Sequence, residues 1–390
     1  MNTLKHSALV LLFVFSIGSI SGQNNLRTNK KDSRYQFTID KEIGNTSVKN
    51  QGHTGTCWSF SSASFLESEV ERMGKGKVDL SEMFTVRKAY SMKAENFVRM
   101  AGRTSFGEGG AFHDFINVLR THGVVPQSVY NGMGYEQSKY NHAEMDDAIG
   151  SMLRSVVKNP AGKISPVWSK AVESVLNTYM GAPPEKFTVD GKSFTPAEYA
   201  KNLGLNADNY IEITSFTHHP FYTQFVLEVP DNWAWDRVYN VPLDEFEQII
   251  DNSLANNYTI AWASDVSEKG LFSFKDGLAV IPDKDLEKMS KGERDSIFTD
   301  PTSQKKITQQ MRQEAFDNQT TTDDHGMHIV GSAHDQKGTK YYIIKNSWGT
   351  DSNECGGYFY ASSAYVLYKT TCLLINKQAV PDAIAKKLKL

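Results

Sequence analysis

"NQGHTGTCWSF", residues 50–60, sets one cysteine between a glycine-bearing turn and a tryptophan. A buried structural thiol needs no such approach, and a disulfide needs a partner, so the stretch presents Cys57 as a nucleophile. Downstream, Phe60, Ala63, Leu66, Val70 and Met73 recur at three- and four-residue steps, and Gly74 and Gly76 close the run. That spacing predicts a helix beginning at Cys57, capped by Thr54 or Thr56. A thiol attacks as thiolate, and a free acidity of about 8.5 leaves most of it protonated at neutral pH. A helix start lowers that value, because unsatisfied backbone N–H groups point at the sulfur. A nearby imidazolium lowers it further.

The chain has 10 histidines to supply that ring. His218 and His219 precede Pro220 in a loop, His122 ends a helix, and His334 shares a turn with Asp335. His53 lies too close to Cys57 along the chain to face it. The stretch "DDHGMHIVG", residues 323–331, holds the candidate, since His325 stands at the mouth of an apolar strand with a glycine after it. His325 and His328 are three apart, so a strand sends them to opposite faces. His325 then shares a face with Met327 and Ile329, and His328 with Val330 and Ser332. Opposite faces, with no Glu or Cys at ligand spacing, argue against a metal there.

"KNSWG", residues 345–349, follows the apolar strand Tyr341 to Ile344. The Asn346 side-chain oxygen can accept one imidazole N–H and hold the ring's tautomer, with Trp348 shielding the bond from water. Gln51, six residues before Cys57, can donate to a developing oxyanion together with the Cys57 backbone N–H.

With these roles assigned, "VKNQGHTGTCWSF" resembles the nucleophile segment of papain-like cysteine peptidases. "HGMHIVG" and "KNSWG" resemble that family's histidine and asparagine segments, in the same order along the chain. "DLSEMF" and Gly109-Gly110 look like its second helix and substrate-binding loop. The resemblance implies Cys57, His325, Asn346 and Gln51 as catalytic residues, and Gly109 and Gly110 as substrate-binding. His325 lies 268 residues beyond Cys57, against about 130–150 in papain and the cathepsins. The added length is similar to the bleomycin hydrolase and aminopeptidase C branch. So are "GGAFHDFINVLRTHGVVP", "SFTPAEY", "AWASDVSEKG" and "KGERDSIF", and the likeness runs from about residue 45 to about residue 383.

The resemblance implies an α+β, papain-like fold with large insertions. A helical half spans about 45–200 and a mainly β, antiparallel barrel-like half about 205–380, with the active site in the cleft between them. It implies hydrolysis of peptide substrates without cofactor or metal, most closely by a bleomycin hydrolase-like aminopeptidase. A papain-like endopeptidase or amide hydrolase is the alternative within enzymes, and a non-catalytic binding domain is the different class. Three features depart from the relatives. Thr54 replaces a cysteine that papain uses in a disulfide, and the start of the chain reads as an export signal where the branch is typically cytosolic. The branch also continues past Val380-Pro381 into an arm whose carboxylate lies in the cleft, whereas here the basic "AKKLKL" follows. The Leu390 carboxylate and the Asp323-Asp324 pair are the two expected sources of negative charge for a substrate's amine.

Lys5 and His6, the apolar run Ala8 to Phe15 and the small-residue stretch Ser16 to Gly22 predict a signal peptide over residues 1–22, cleaved near Ser19-Ile20-Ser21. Eight apolar residues are too few to span a bilayer. Export to the periplasm or beyond follows. A formal charge of −3 and 39% hydrophobic residues exclude a nucleic-acid or membrane-inserted class. A homo-oligomer is neither required nor excluded. Of three cysteines, Cys355 and Cys372 either pair or serve as two small buried hydrophobes. Along the chain, helices are expected over about 79–100, 111–122 and 148–179 and from Thr195. A short strand is expected over Tyr35–Ile39. Strands dominate from Ile211, at 223–229, 258–263, 328–333, 341–344 and 358–361, around a charged stretch over 282–324. Helices first and strands later argue for α+β segregation.

Overall fold

Helix α1 (Cys57–Arg72) starts and stops where the apolar spacing predicts, and every residue from Trp58 to Val70 is buried. Gly74, at φ +72°, turns the chain away from its end. The computed structural model describes residues 26–390, and the signal-peptide reading of residues 1–22 lies outside them. Five more helices follow: α2 (Glu82–Arg99), α3 (Phe112–His122), α4 (Ala143–Lys158), α5 (Trp168–Met180) and α6 (Pro196–Leu203). Ser81 caps α2 by accepting from the Phe84 N–H. Thr195 and Glu198 form a reciprocal capping box on α6, as the Thr-Pro-Ala-Glu signal implies. The expected helical run over 148–179 divides into α4 and α5 around Asn159, which takes the left-handed conformation that ends α4.

The start of α1 corrects one expectation. Thr56 occupies the cap position, but its side chain makes no cap bond. The Thr54 hydroxyl bonds instead to the Gln51 carbonyl oxygen (2.8 Å) and the Thr56 hydroxyl (2.6 Å). The two threonines therefore brace the turn before the helix and leave its first N–H groups open.

The strands are β1 (Leu26–Arg27), β2 (Phe37–Glu42), β3 (Phe187–Val189), β4 (Lys192–Phe194), β5 (Tyr210–Thr214), β6 (Gln224–Val226) and β7 (Arg237–Asn240). Beyond them lie β8 (Ile260–Ser264), β9 (Phe272–Ser273), β10 (Leu278–Ala279), β11 (His325–Asp335), β12 (Lys340–Lys345), β13 (Tyr358–Ser362) and β14 (Thr370–Asn376). Twelve of them form one sheet along the path β6-β7-β5-β14-β8-β11-β12-β13-β10-β9, with β1 and β2 attached through β11. The sheet is antiparallel except at β5/β7 and β10/β13. The late half is not purely β. It also carries α7 (Leu243–Ala255), α8 (Lys291–Ser296), α9 (Gln309–Asp317), α10 (Ser363–Lys369) and α11 (Asp382–Leu388).

Strand β11 organises the molecule. Its first half pairs with β8, its second half with β2, and its other edge with β12. The sheet is covered on both faces, so neighbouring residues divide between two cores. Ala261, Ala263, Cys372 and Leu374 join the helix-side core, while Ile260, Trp262, Leu373 and Ile375 join the core beneath. Burial on both faces makes β8 and β14 read as continuous apolar runs rather than alternating ones. Helix α1 lies tight against β11 at Gly326, where a Cβ would stand 2.9 Å from Ser61 Oγ and 3.2 Å from the Trp58 Cα. Glycine at that position lets the start of α1 and the start of β11 touch.

Candidate active site

Contact between α1 and β11 brings Cys57 and His325 to one cavity, which encloses about 480 Å³ of free space open to solvent. Trp58, Gly110 and His113 wall it from the helical side, and Glu212, Asp231 and Asp323 from the strand side. His325 is buried, and its Nε2 lies 2.7 Å from Asn346 Oδ1. An asparagine oxygen only accepts, so Nε2 carries the proton and Nδ1 keeps its lone pair. The Trp348 ring stacks on His325 at 4.5 Å, tilted by 29°. His328 points to the opposite face, as its spacing from His325 predicts, and its Nδ1 meets Ser64 Oγ at 2.8 Å inside the α1 interface.

Gln51 is buried and fixed at both ends of its amide. Its Nε2 donates to the Thr54 carbonyl oxygen (2.7 Å), and its Oε1 accepts from the Ser347 hydroxyl (2.6 Å). Its backbone N–H also donates to the Ser347 carbonyl oxygen at 2.9 Å. The turn that carries Asn346 is thus bonded directly to the turn that precedes Cys57. One Nε2 hydrogen of Gln51 remains uncommitted, although Gln51 is not among the residues that line the cavity.

The profile of the Peptidase C1-like family matches residues 15–390. The chain belongs to that family. As a member of this cysteine peptidase family it is 25% identical over 395 residues to Aminopeptidase C of Lactobacillus delbrueckii subsp. lactis, covering 90% of this chain and 83% of that protein. It is 21% identical to the mitochondrial Cysteine proteinase 1 of Saccharomyces cerevisiae over 93% of this chain and 81% of that one. The crystal structure of PepW from Lactobacillus rhamnosis superposes with a TM-score of 0.69 at 22% identity, over 90% of this chain and 84% of that one. The α+β papain-like fold expected from the motifs is the fold observed.

Within this family member the electrostatics differ from the simple helix-start expectation. Burial pushes the Cys57 thiol up to about 12, and the negative charges of Asp323 and Asp231 add to it. Backbone N–H groups of Gly326 and Trp58 pull the other way without prevailing. Burial also pushes His325 down to about 4 against the opposing bond from Asn346. Burial therefore opposes both charged forms, the thiolate of Cys57 and the imidazolium of His325, although Cys57 itself is only half-buried.

Four carboxylates line the cavity: Glu212, Asp231, Asp323 and Asp324. Glu212 is committed to His113, accepting from its backbone N–H (2.7 Å) and its Nδ1 (3.0 Å). Against the burial that opposes it, that carboxylate raises His113 to about 9. Asp324 accepts from the Thr322 hydroxyl at 2.6 Å. Among the described residues, Asp231 and Asp323 have no hydrogen-bond partner, and burial followed by the charges of Asp231, Glu212 and Asp324 raises Asp323 to about 8. Lys93 lies beneath the glycine loop, bonded to the Gly107 and Gly109 carbonyl oxygens, and its charge acts on Asp231 without a bond.

The two loop glycines have separate places. Gly110 lines the cavity and Gly109 does not. A Cβ on Gly109 would fall 2.2 Å from Asp231 Oδ2, so this glycine makes room for the carboxylate. Sequence reasoning named Asp323 and Asp324 but missed Asp231 and Glu212, which no motif surrounds. The Leu390 carboxylate takes another position. Helix α11 packs Ile384 and Leu388 into the core beneath the sheet, and Lys387 pairs with Glu245 of α7. No cavity-lining residue among those described comes from beyond Cys372. Cys355 and Cys372 are unpaired. Cys372 is buried in the cavity wall, while the Cys355 sulfur lies 2.9 Å from the Asn29 carbonyl oxygen.

Proposed function

We propose that this chain is a cysteine aminopeptidase, removing residues one at a time from the free amino end of peptides. Cys57 attacks the scissile carbonyl as its proton passes to His325 Nδ1, the nitrogen left free by the Asn346 bond. The imidazolium then returns that proton to the leaving amine. The free hydrogen of Gln51 Nε2 and the Cys57 backbone N–H are the donors for the developing oxyanion. Asn346 and Trp348 hold the imidazole in its productive tautomer.

The observation that carries the exopeptidase reading is the unpartnered pair Asp231 and Asp323 in the cavity that holds Cys57. Two carboxylates that repel each other and lack donors are relieved by an ammonium group, and the substrate's free amine supplies one. Aminopeptidase C, at 25% identity, is consistent with this reading. The test compares an aminoacyl fluorogenic amide with the same reporter on an N-acetylated peptide. Preference for the free amine supports the proposal, and equal cleavage of the blocked peptide refutes it. We further propose export, from the apolar run Ala8–Phe15. Cell fractionation with N-terminal sequencing tests it, and an intact cytosolic chain refutes it.

A further inference from the structure

Away from the cleft, His218, His219 and Glu228 converge at the surface. His218 Nε2 lies 3.0 Å from Glu228 Oε2, and His219 Nε2 lies 2.8 Å from Glu228 Oε1. The three groups' potential ligand atoms all fall within 4.8 Å of one another. Tetrahedral zinc, with bonds of about 2.0–2.2 Å, sets its ligand atoms about 3.3–3.6 Å apart. Small side-chain adjustments therefore fit the three around one ion.

The surrounding protein holds these groups in place. The buried Asn240 amide donates to the carbonyl oxygens of Phe216 (2.7 Å), His219 (2.9 Å) and Pro220 (3.3 Å), which fixes the loop carrying both histidines. The His218 ring stacks on Phe316 (5.6 Å, 16°), and the His219 ring on Phe225 (4.2 Å, 24°). The Gln313 amide nitrogen lies 3.0 Å from His218 Nδ1, and the amide oxygen, which accepts from the Thr217 N–H, lies 3.4 Å from it; turning the amide over would present the acceptor that Nδ1–H takes when Nε2 binds a metal. Pre-set rings, a carboxylate and an outer-shell amide are the parts of a metal site whose fourth position is left to water.

We propose that His218, His219 and Glu228 bind one zinc-class divalent cation. Glu228 lies between Leu227 and Val229, which line the active cleft. A bound ion would fasten the histidine loop to the outside of that cleft wall. The histidines were read from sequence only as loop residues before a proline, because their partner Glu228 lies across β6.

The test uses the full-length chain carrying Cys57→Ala, which removes the cleft thiol as a competing ligand. After chelator treatment, zinc is titrated by calorimetry, and melting is followed with and without the ion. One equivalent is expected to bind and raise Tm. His219→Ala and Glu228→Gln are each expected to weaken binding at least tenfold, with circular dichroism unchanged; even outer-shell losses cost about 10–100-fold. Cobalt(II) in place of zinc should give a tetrahedral visible spectrum that both substitutions abolish. The proposal is overturned if millimolar zinc neither binds nor shifts Tm. Binding that survives both substitutions overturns it as well.

Discussion

Replacing Asp231 and Asp323 together by asparagine removes the charge assigned to the substrate's amine while keeping the shape of the cleft. A unit charge pair about 4 Å apart interacts by about 1 kcal/mol in bulk water and about 4 kcal/mol at an effective dielectric of 20. The cleft is open on one side and Lys93 already offsets part of Asp231's charge, so about 2 kcal/mol is a reasonable value between these limits. That corresponds to about a 30-fold loss of kcat/KM for an aminoacyl amide. The single variants should differ. Asp323, raised to about 8, is largely protonated at pH 7 in the free enzyme, so Asp323→Asn alone should cost threefold at most, on the order of 0.6 kcal/mol. Asp231→Asn should fall between the single Asp323 variant and the double. Amine binding draws the proton off Asp323, so wild-type KM for amine substrates should fall as pH rises from 6 towards 8, and Asp323→Asn should flatten that slope. Steady-state kinetics on the free and N-acetylated reporters measure all of this. A double variant that keeps the full preference for the free amine would refute the assignment.

Cys57→Ala and His325→Ala should each abolish hydrolysis with the fold intact. His328→Ala should keep kcat within about threefold while lowering stability by about 1–3 kcal/mol, since it empties a buried hydrogen-bonded site. The reverse pattern would exchange the two histidines' roles. Gln51→Ala should lower kcat by about 10²–10³ as one oxyanion donor is lost, with a smaller Tm loss from the broken Ser347 bond; full activity would remove Gln51 from the mechanism. Asn346→Ala should be milder in kcat, because Trp348 still restrains the ring, and a larger loss than for Gln51→Ala contradicts that. Asp323→Asn should also raise Tm. A carboxyl held at about 8 in the folded chain and near its ordinary value when unfolded costs stability progressively between about pH 4 and pH 8. The Tm gain should therefore be larger at pH 8 than at pH 5, and a gain that shrinks with pH would show that Asp323 is not raised.

Local signals in the sequence were legible where the physics is local. The α1 apolar spacing, the Ser81 cap of α2 and the Thr195/Glu198 capping box each depend on residues within a few positions of one another. The opposed faces of His325 and His328 follow from strand period alone. Strand β14 was not anticipated, because burial on both faces erases the alternation that marks a strand. Helix α7 was overlooked within a stretch read as strand-dominated, although Leu243, Phe246, Ile249 and Ile250 carry helical spacing. The threonine cap failed because the two hydroxyls found each other, a competition that spacing does not reveal. The thiol's raised pKa was invisible for a different reason. It arises from burial and from Asp231 and Asp323, residues brought to Cys57 by folding across more than 170 positions of chain. Asp231 itself lies in an unmarked loop, and its place in the cavity wall, with its carboxylate packed against Gly109, appears only in the fold.

The claim on which the rest depends is that peptide-bond hydrolysis runs through a covalent acyl group on Cys57. Mixing the enzyme with an aminoacyl ester, quenching in acid and mapping the modified peptide by mass spectrometry tests it directly. The chain has three cysteines; Cys57 shares the cavity with His325, Cys372 is buried in its wall and Cys355 lies outside it, so the site of modification discriminates. The account predicts one aminoacyl group on the peptide containing Cys57 and none in the Cys57→Ala chain. An acyl group elsewhere, or hydrolysis that persists in Cys57→Ala, would contradict it.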